Sequence, residues 1–219
     1  MTAILYFYTD DGKRLTVIAD RQVTHDYELR EKGKCFLRGK FYIFCSGSED
    51  IYNQVMSEVT PTRKNIGNLA IFINKRCIEI INIARTSLSI PEDVCSFLIV
   101  DGQGGKARLI KRNTISETQD FGIIGSGESY EQEMYGIFSS NRPGFQLRTR
   151  SWQPEIFLKK IVEVFDRLSF KQSSIGHPAL FGLDLFLFES GTVESQRIRR
   201  KDSLKLNDIS NYEVKSYGA

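Results

Sequence analysis

Short apolar runs of strand length open the chain, and helically spaced apolar positions follow in its middle and again near its end. Ile4 to Thr9 is rich in β-branched and aromatic residues and stops at the turn cluster Asp10-Asp11-Gly12-Lys13. Leu15 to Ala19 comes next, so the chain begins as a β-hairpin. Arg21 to Gly33 is polar, has too few apolar residues for a buried helix, and is read as irregular. Cys35-Phe36-Leu37, the turn Arg38-Gly39-Lys40 and Phe41 to Cys45 make a second hairpin, opened by Lys34.

Ser46-Gly47-Ser48-Glu49-Asp50 closes that strand and starts a helix, with Ser48 as N-cap and acids in the first turn. The helix reaches about Val59, and Pro61 stops it. Leu69, Phe72, Ile73, Cys77, Ile80, Ile81 and Ala84 recur at helical spacing and predict a second helix over Asn65 to Thr86. Beyond Pro91, Ser96 to Val100 and Ala107 to Lys111 form a hairpin around Asp101-Gly102-Gln103-Gly104-Gly105. Phe121 to Ile124 is a short strand, and Gly125-Ser126-Gly127 turns it into a third helix ending near Phe138. A fourth helix begins at Pro154 and carries Ile161, Val164 and Leu168 on one face. After a loop over Ser173 to Pro178, Leu180 to Glu189 and Val193 to Arg199 make the last hairpin. Strands flanking paired helices predict an α+β fold, with two antiparallel sheets between helix layers. One domain is expected over residues 1–199, followed by a polar tail over 200–219.

With 219 residues, 41% hydrophobic and 26% charged, the chain suits one sizeable core. Its longest apolar runs are too short to span a bilayer. No charged, then apolar, then small-residue signal opens it, so a cytoplasmic protein without a membrane partner is expected. The four cysteines are widely spaced and lack a Cys-x-x-Cys pair, suggesting core packing rather than zinc or disulfides. A net charge of +3 is too mild to argue for nucleic acid. His25 and His177 are isolated, so neither implies a metal pair.

The first residues carry the candidate chemistry. Met1 followed by a small residue is the usual substrate for initiator removal, which would leave Thr2 as the free terminus. Its hydroxyl and α-amine would then lie within reach of each other. The amine, with an unperturbed pKa of roughly 7.7–8.0, can act as a base. Many chains begin Met-Thr, so this pair means little without the rest.

The order of elements and a set of short motifs together resemble the N-terminal-nucleophile hydrolases, more narrowly a proteasome β-type subunit or the bacterial heat-shock-locus peptidase. Thr2 matches the family's nucleophile, Ile18-Ala19-Asp20 its alanine–acid step, and Thr24 the small residue beyond. Lys34 before Cys35-Phe36 falls where the family carries a catalytic lysine. Ser46-Gly47-Ser48 and Gly125-Ser126-Gly127 resemble its two glycine turns. The resemblance implies a four-layer αββα sandwich and closed rings with inward-facing active sites. It also implies a polypeptide substrate, an unfolding ATPase as partner, and no metal or organic cofactor. In that reading Lys34 eases formation of the Thr2 alkoxide, and Asp20 keeps Lys34 charged. The Gly47 amide binds the oxyanion, and Ser126 steadies the Thr2 amine.

Two positions depart from the family pattern. Gln22 stands where an arginine is usual. Gly176-His177-Pro178-Ala179-Leu180-Phe181-Gly182 lacks the usual acid and serine, which Ser173, Ser174 or Asp184 would have to replace. These departures keep two alternatives open: a ring subunit with little or no turnover, and a ligase or amidase that transfers the same acyl group to an amine. Without the family pattern, Asp20 and Lys34 would be ordinary surface turn residues. Gly125-Ser126-Gly127 has Tyr130 where a dinucleotide fingerprint needs glycine and no βαβ unit around it, which excludes that reading. Gly102 to Gly105 is simplest as a hairpin loop, and Ile198-Arg199-Arg200-Lys201 as a solvated strand end or subunit contact.

Overall fold

A computed structural model describes residues 3–25, 28–61, 65–85, 95–140, 142–200 and 212–217. The chain divides into two compact units, one of Met1–Gly33 with Gln119–Ala219 and one of Lys34–Thr118. The first unit starts with β1 (Ala3–Thr9) and β2 (Arg14–Asp20), antiparallel with Ile4 opposite Ala19 and joined by a 3-10 turn over Asp10–Gly12. The stretch expected to be irregular instead contains β3 (Gln22–His25) and β4 (Glu28–Glu31), paired in a two-stranded sheet of their own. Main-chain bonds hold such a ladder, so it can form without the apolar alternation of a core strand.

The second unit comprises β5 (Cys35–Arg38), β6 (Phe41–Gly47), α1 (Glu49–Ser57), α2 (Ile66–Arg85), β7 (Cys95–Asp101), β8 (Ala107–Lys111) and β9 (Thr114–Glu117). Its five strands run in sequence order, each antiparallel to the next. Phe41, Ile43 and Cys45 of β6 and Phe97 and Ile99 of β7 share a buried core with Val55 of α1 and Leu69, Ile73 and Cys77 of α2. The helical spacing seen in the sequence is thus the face that covers this sheet. The loop after β7 is a hairpin turn, with Asp101 Oδ1 accepting the amides of Gln103 at 3.0 Å and Gly104 at 3.3 Å. Cys45, Cys77 and Cys95 are buried, and Cys35 is half-buried; all four thiols are free.

The chain returns to the first unit with β10 (Phe121–Gly125), α3 (Glu131–Ser139), α4 (Pro154–Lys171), α5 (Pro178–Phe181), β11 (Leu183–Glu189), β12 (Thr192–Arg200) and β13 (Tyr212–Tyr217). The six-stranded sheet runs β10-β1-β2-β11-β12-β13, every neighbouring pair antiparallel. Leu5, Phe7, Ile18, Ile123, Leu183 and Leu185 on one face of this sheet pack with Phe138 of α3 and Ile161, Phe165 and Leu168 of α4. Each such fully buried side chain contributes roughly 1.5–3 kcal/mol relative to exposure. The alternate residues Ile4, Tyr6, Val17 and Ala19 are buried as well, so β1 and β2 read as continuous apolar runs rather than alternating ones.

Two segments near the C-terminal end differ from expectation. Leu180, expected in a strand, lies in α5, because Pro178 supplies a first-turn residue and His177 Nδ1 caps the Ala179 amide at 3.2 Å. The segment expected as a polar tail contains β13, which extends the sheet along β12.

Candidate active site

Thr2 lies outside the described residues. Ala3, the first described residue, enters the sheet between β10 and β2, opposite Gly125. Its amide donates to Asp20 Oδ1 at 3.0 Å, and the other carboxylate oxygen accepts from the Gly176 amide at 2.8 Å. Asp20 is fully buried, at 0% exposure, so the surface-turn reading of this residue does not hold. It continues the Ile18 face of β2, because side chains two apart share a face. The carboxylate therefore joins the start of β1 to the loop before α5.

That loop is braced further. Gln22, buried at the start of β3, donates through Nε2 to the Ser173 carbonyl at 2.9 Å. A Cβ on Gly176 would come within 2.8 Å of Gln22 Cβ and 3.1 Å of Gln22 N, so the loop can lie this close only with glycine there. The neutral side chain at the position where the family has arginine is thus a loop brace.

Ser126 follows β10, and its hydroxyl is hydrogen-bonded to that of Ser174 at 3.1 Å. Both flanking glycines have a steric reason. Gly125 has φ +88°, and a Cβ on Gly127 would meet Ile123 at 2.9 Å and Ala3 at 3.4 Å. Among the three residues proposed from sequence to replace the missing acid and serine, Ser174 therefore meets Ser126. Ser173 contributes its carbonyl to Gln22. Asp184 is held elsewhere: it pairs with Arg21 and, at 3.3 Å, with Arg197 Nε. Arg21 and Arg199 also reach Glu31, at 2.8 and 2.5 Å. Burial tends to raise the Glu31 pKa, but hydrogen bonds and charge from Arg199 and Arg21 outweigh it and hold the carboxyl below its ordinary value.

The remaining candidates lie in the second unit. Lys34 is buried at 2% exposure, and its carbonyl accepts the Cys45 amide at 3.0 Å at the open end of the β5–β6 hairpin. Gly47 ends β6 with φ +116°, opposite Cys95. Ser48 is the N-cap position of α1 and makes no side-chain cap, while Glu49 and Asp50 occupy the first turn. Lys34, just before β5, and Gly47, at the end of β6, thus stand at the same end of this sheet, next to the start of α1. No group of three or more His, Cys, Asp or Glu that could hold a metal occurs among the described residues.

No family model matches the sequence. No curated protein matches it either. Solved structures do resemble the fold. BPH of Thiobacillus denitrificans, alone and in complex with epoxomicin, aligns over 86% of this chain and 98% of its own, at 15% identity and a TM-score of 0.54. The Anbu complex of Pseudomonas aeruginosa, a helical assembly, aligns over 92% of this chain and 88% of its own, at 15% identity and a TM-score of 0.65. The chain therefore shares its fold with these BPH and Anbu structures.

Proposed function

We propose that this chain is a subunit of a proteasome-like ring whose Thr2, exposed by removal of Met1, attacks peptide carbonyls. The observation that carries the reading is the buried carboxylate of Asp20 holding the amide of Ala3, the residue next to Thr2, at 3.0 Å. In this reading the Thr2 amine takes the hydroxyl proton, Lys34 stabilises the alkoxide, and the Gly47 amide donates to the developing oxyanion. The linked hydroxyls of Ser126 and Ser174 orient the amine. Water releases the acyl-enzyme and restores the threonine. A single domain of the α+β sandwich class is part of this reading. The BPH complex with epoxomicin and the helical Anbu assembly support an inhibitor-reactive, oligomeric subunit. Polypeptide is the substrate class, with an unfolding ATPase as expected partner and the cytoplasm as the expected compartment.

A second reading, a structural ring subunit without turnover, draws on Asp184 being engaged by Arg21 and Arg197. The two separate in one measurement: intact mass after incubation with epoxomicin, for the native chain and Thr2→Ala. A mass lacking Met1 and carrying one inhibitor, with no adduct on the variant, supports the nucleophile. Retained Met1, or a processed chain that takes no inhibitor, overturns it in favour of the structural reading.

A further inference from the structure

In the first unit, a cavity of about 530 Å³ opens between the end of α3, the 3-10 turn at Leu147–Thr149 and the start of α4. Arg142, Arg150 and Lys160 line it, and no Asp or Glu does. Half-buried Phe145 supplies aromatic surface, backed by Phe138 and Phe157 in the buried core. Lys160 Nζ is fixed on the wall by the α3 carbonyls of Ile137 and Phe138, at 2.8 and 2.7 Å. Among the described residues, neither Arg142 nor Arg150 has a carboxylate partner; Arg150 lies over the Phe145 ring, 4.8 Å from its centroid. The cations crowd one another. Burial and the nearby charge of Arg142 depress the Lys160 pKa, while Glu163, the opposing acid, is engaged by Arg167 at 2.8 Å.

Two guanidinium groups without a carboxylate partner among the described residues, beside Lys160, favour a multiply charged anion, and guanidinium forks match phosphate oxygens. The aromatic wall suits a flat ring, and the volume falls in the range of small-molecule sites. We propose that this cavity binds an aromatic phosphate monoester, with Arg142, Arg150 and Lys160 taking the phosphate and Phe145 taking the ring. The site is separate from the Thr2 chemistry, and its test does not depend on that chemistry.

The test is calorimetric titration of the full chain with phenyl phosphate, inorganic phosphate and benzyl alcohol. Phenyl phosphate should saturate at millimolar or lower concentration and bind more tightly than either half alone. The double variant R142A/R150A, whose side chains are both exposed, should weaken it by about tenfold or more with an unchanged melting temperature. Ser151→Trp, which fills the cavity and leaves every cation in place, should also abolish binding. Adenosine monophosphate and pyridoxal phosphate then show which ring is preferred. Absence of saturation by about 10 mM phenyl phosphate, where affinity falls below that of ordinary small ligands, overturns the site. So does binding that survives the double variant or the tryptophan.

Discussion

Replacing Asp20 by asparagine tests how the chain end is held. The carboxylate is fully buried and accepts two main-chain amides, Ala3 at 3.0 Å and Gly176 at 2.8 Å. Asparagine keeps one oxygen. Whichever amide that oxygen serves, the new NH2 faces the other N–H, and a buried donor is left without an acceptor. The retained bond becomes neutral, costing about 1 kcal/mol, and the orphaned amide costs about 1–3 kcal/mol, so the total is about 2–4 kcal/mol. For a chain of this size, a mid-range loss of about 3 kcal/mol lowers the melting temperature by about 6–12 °C. Urea unfolding of the full chain, followed by circular dichroism, measures the loss. Amide exchange at Ala3 locates it, since that amide should lose protection. Exposed Asp11→Asn serves as the control and should stay within about 0.5 kcal/mol of the native chain. A comparably small change for Asp20→Asn, with Ala3 still protected, would falsify the role assigned to this carboxylate.

Three further outcomes follow from the geometry. Glu31 is held below its ordinary pKa in the folded chain, so its contribution is present above the unfolded carboxylate range and is lost as pH falls through the lower folded value. The stability gap between native and Glu31→Gln should therefore hold at neutral pH and narrow as pH falls below the ordinary carboxylate range; a gap constant with pH would refute the Arg21–Glu31–Arg199 assignment. Tyr6 is raised to about 12 by burial first and the charge of Glu131 second, so the fold loses stability as pH rises from 10 towards that value. Absorbance titration should show Tyr6→Phe removing a phenol that ionises only near 12, and its removal from the normal group near 10 would count against this. Gly47→Ala forces a side chain onto φ +116°, with an expected cost of about 1–3 kcal/mol in urea unfolding. An unchanged midpoint would show that this turn relaxes freely.

Most elements were legible because packing and pattern agree. The spacing of Leu69, Ile73, Cys77 and Ile80 is the face of α2 that meets β6 and β7, and Pro154 starts α4 where a first-turn proline should. The misses share a physical cause. Strands β3, β4 and β13 are built from polar sequence and held by their ladders, so hydrophobic periodicity carries no signal for them. Leu180 carried a misleading one: an apolar residue next to the strand run, yet largely exposed in a short helix set by His177 and Pro178.

The candidate site was legible in its parts rather than in its connections. Asp20 and Lys34 have the composition of turn residues, and only the motif order argued that they differ from surface charges; both are in fact buried. Nothing in the sequence linked Asp20 to Gly176, some 156 positions away, or Ser126 to Ser174. These long-range bonds tie the loop before α5 to Asp20 and to the end of β10. Gln22 braces the Ser173 carbonyl, Gly176 approaches closely enough for Asp20 to hold it, and Ser174 is thereby kept against Ser126. A hydroxyl pair and a carboxylate thus converge where the first strand begins, while the arginine cluster around Asp184 anchors β11 and β12 to Glu31. The Ala3 and Gly176 amides both need the Asp20 carboxylate as acceptor, because an apolar side chain in its place would leave two buried donors unpaired.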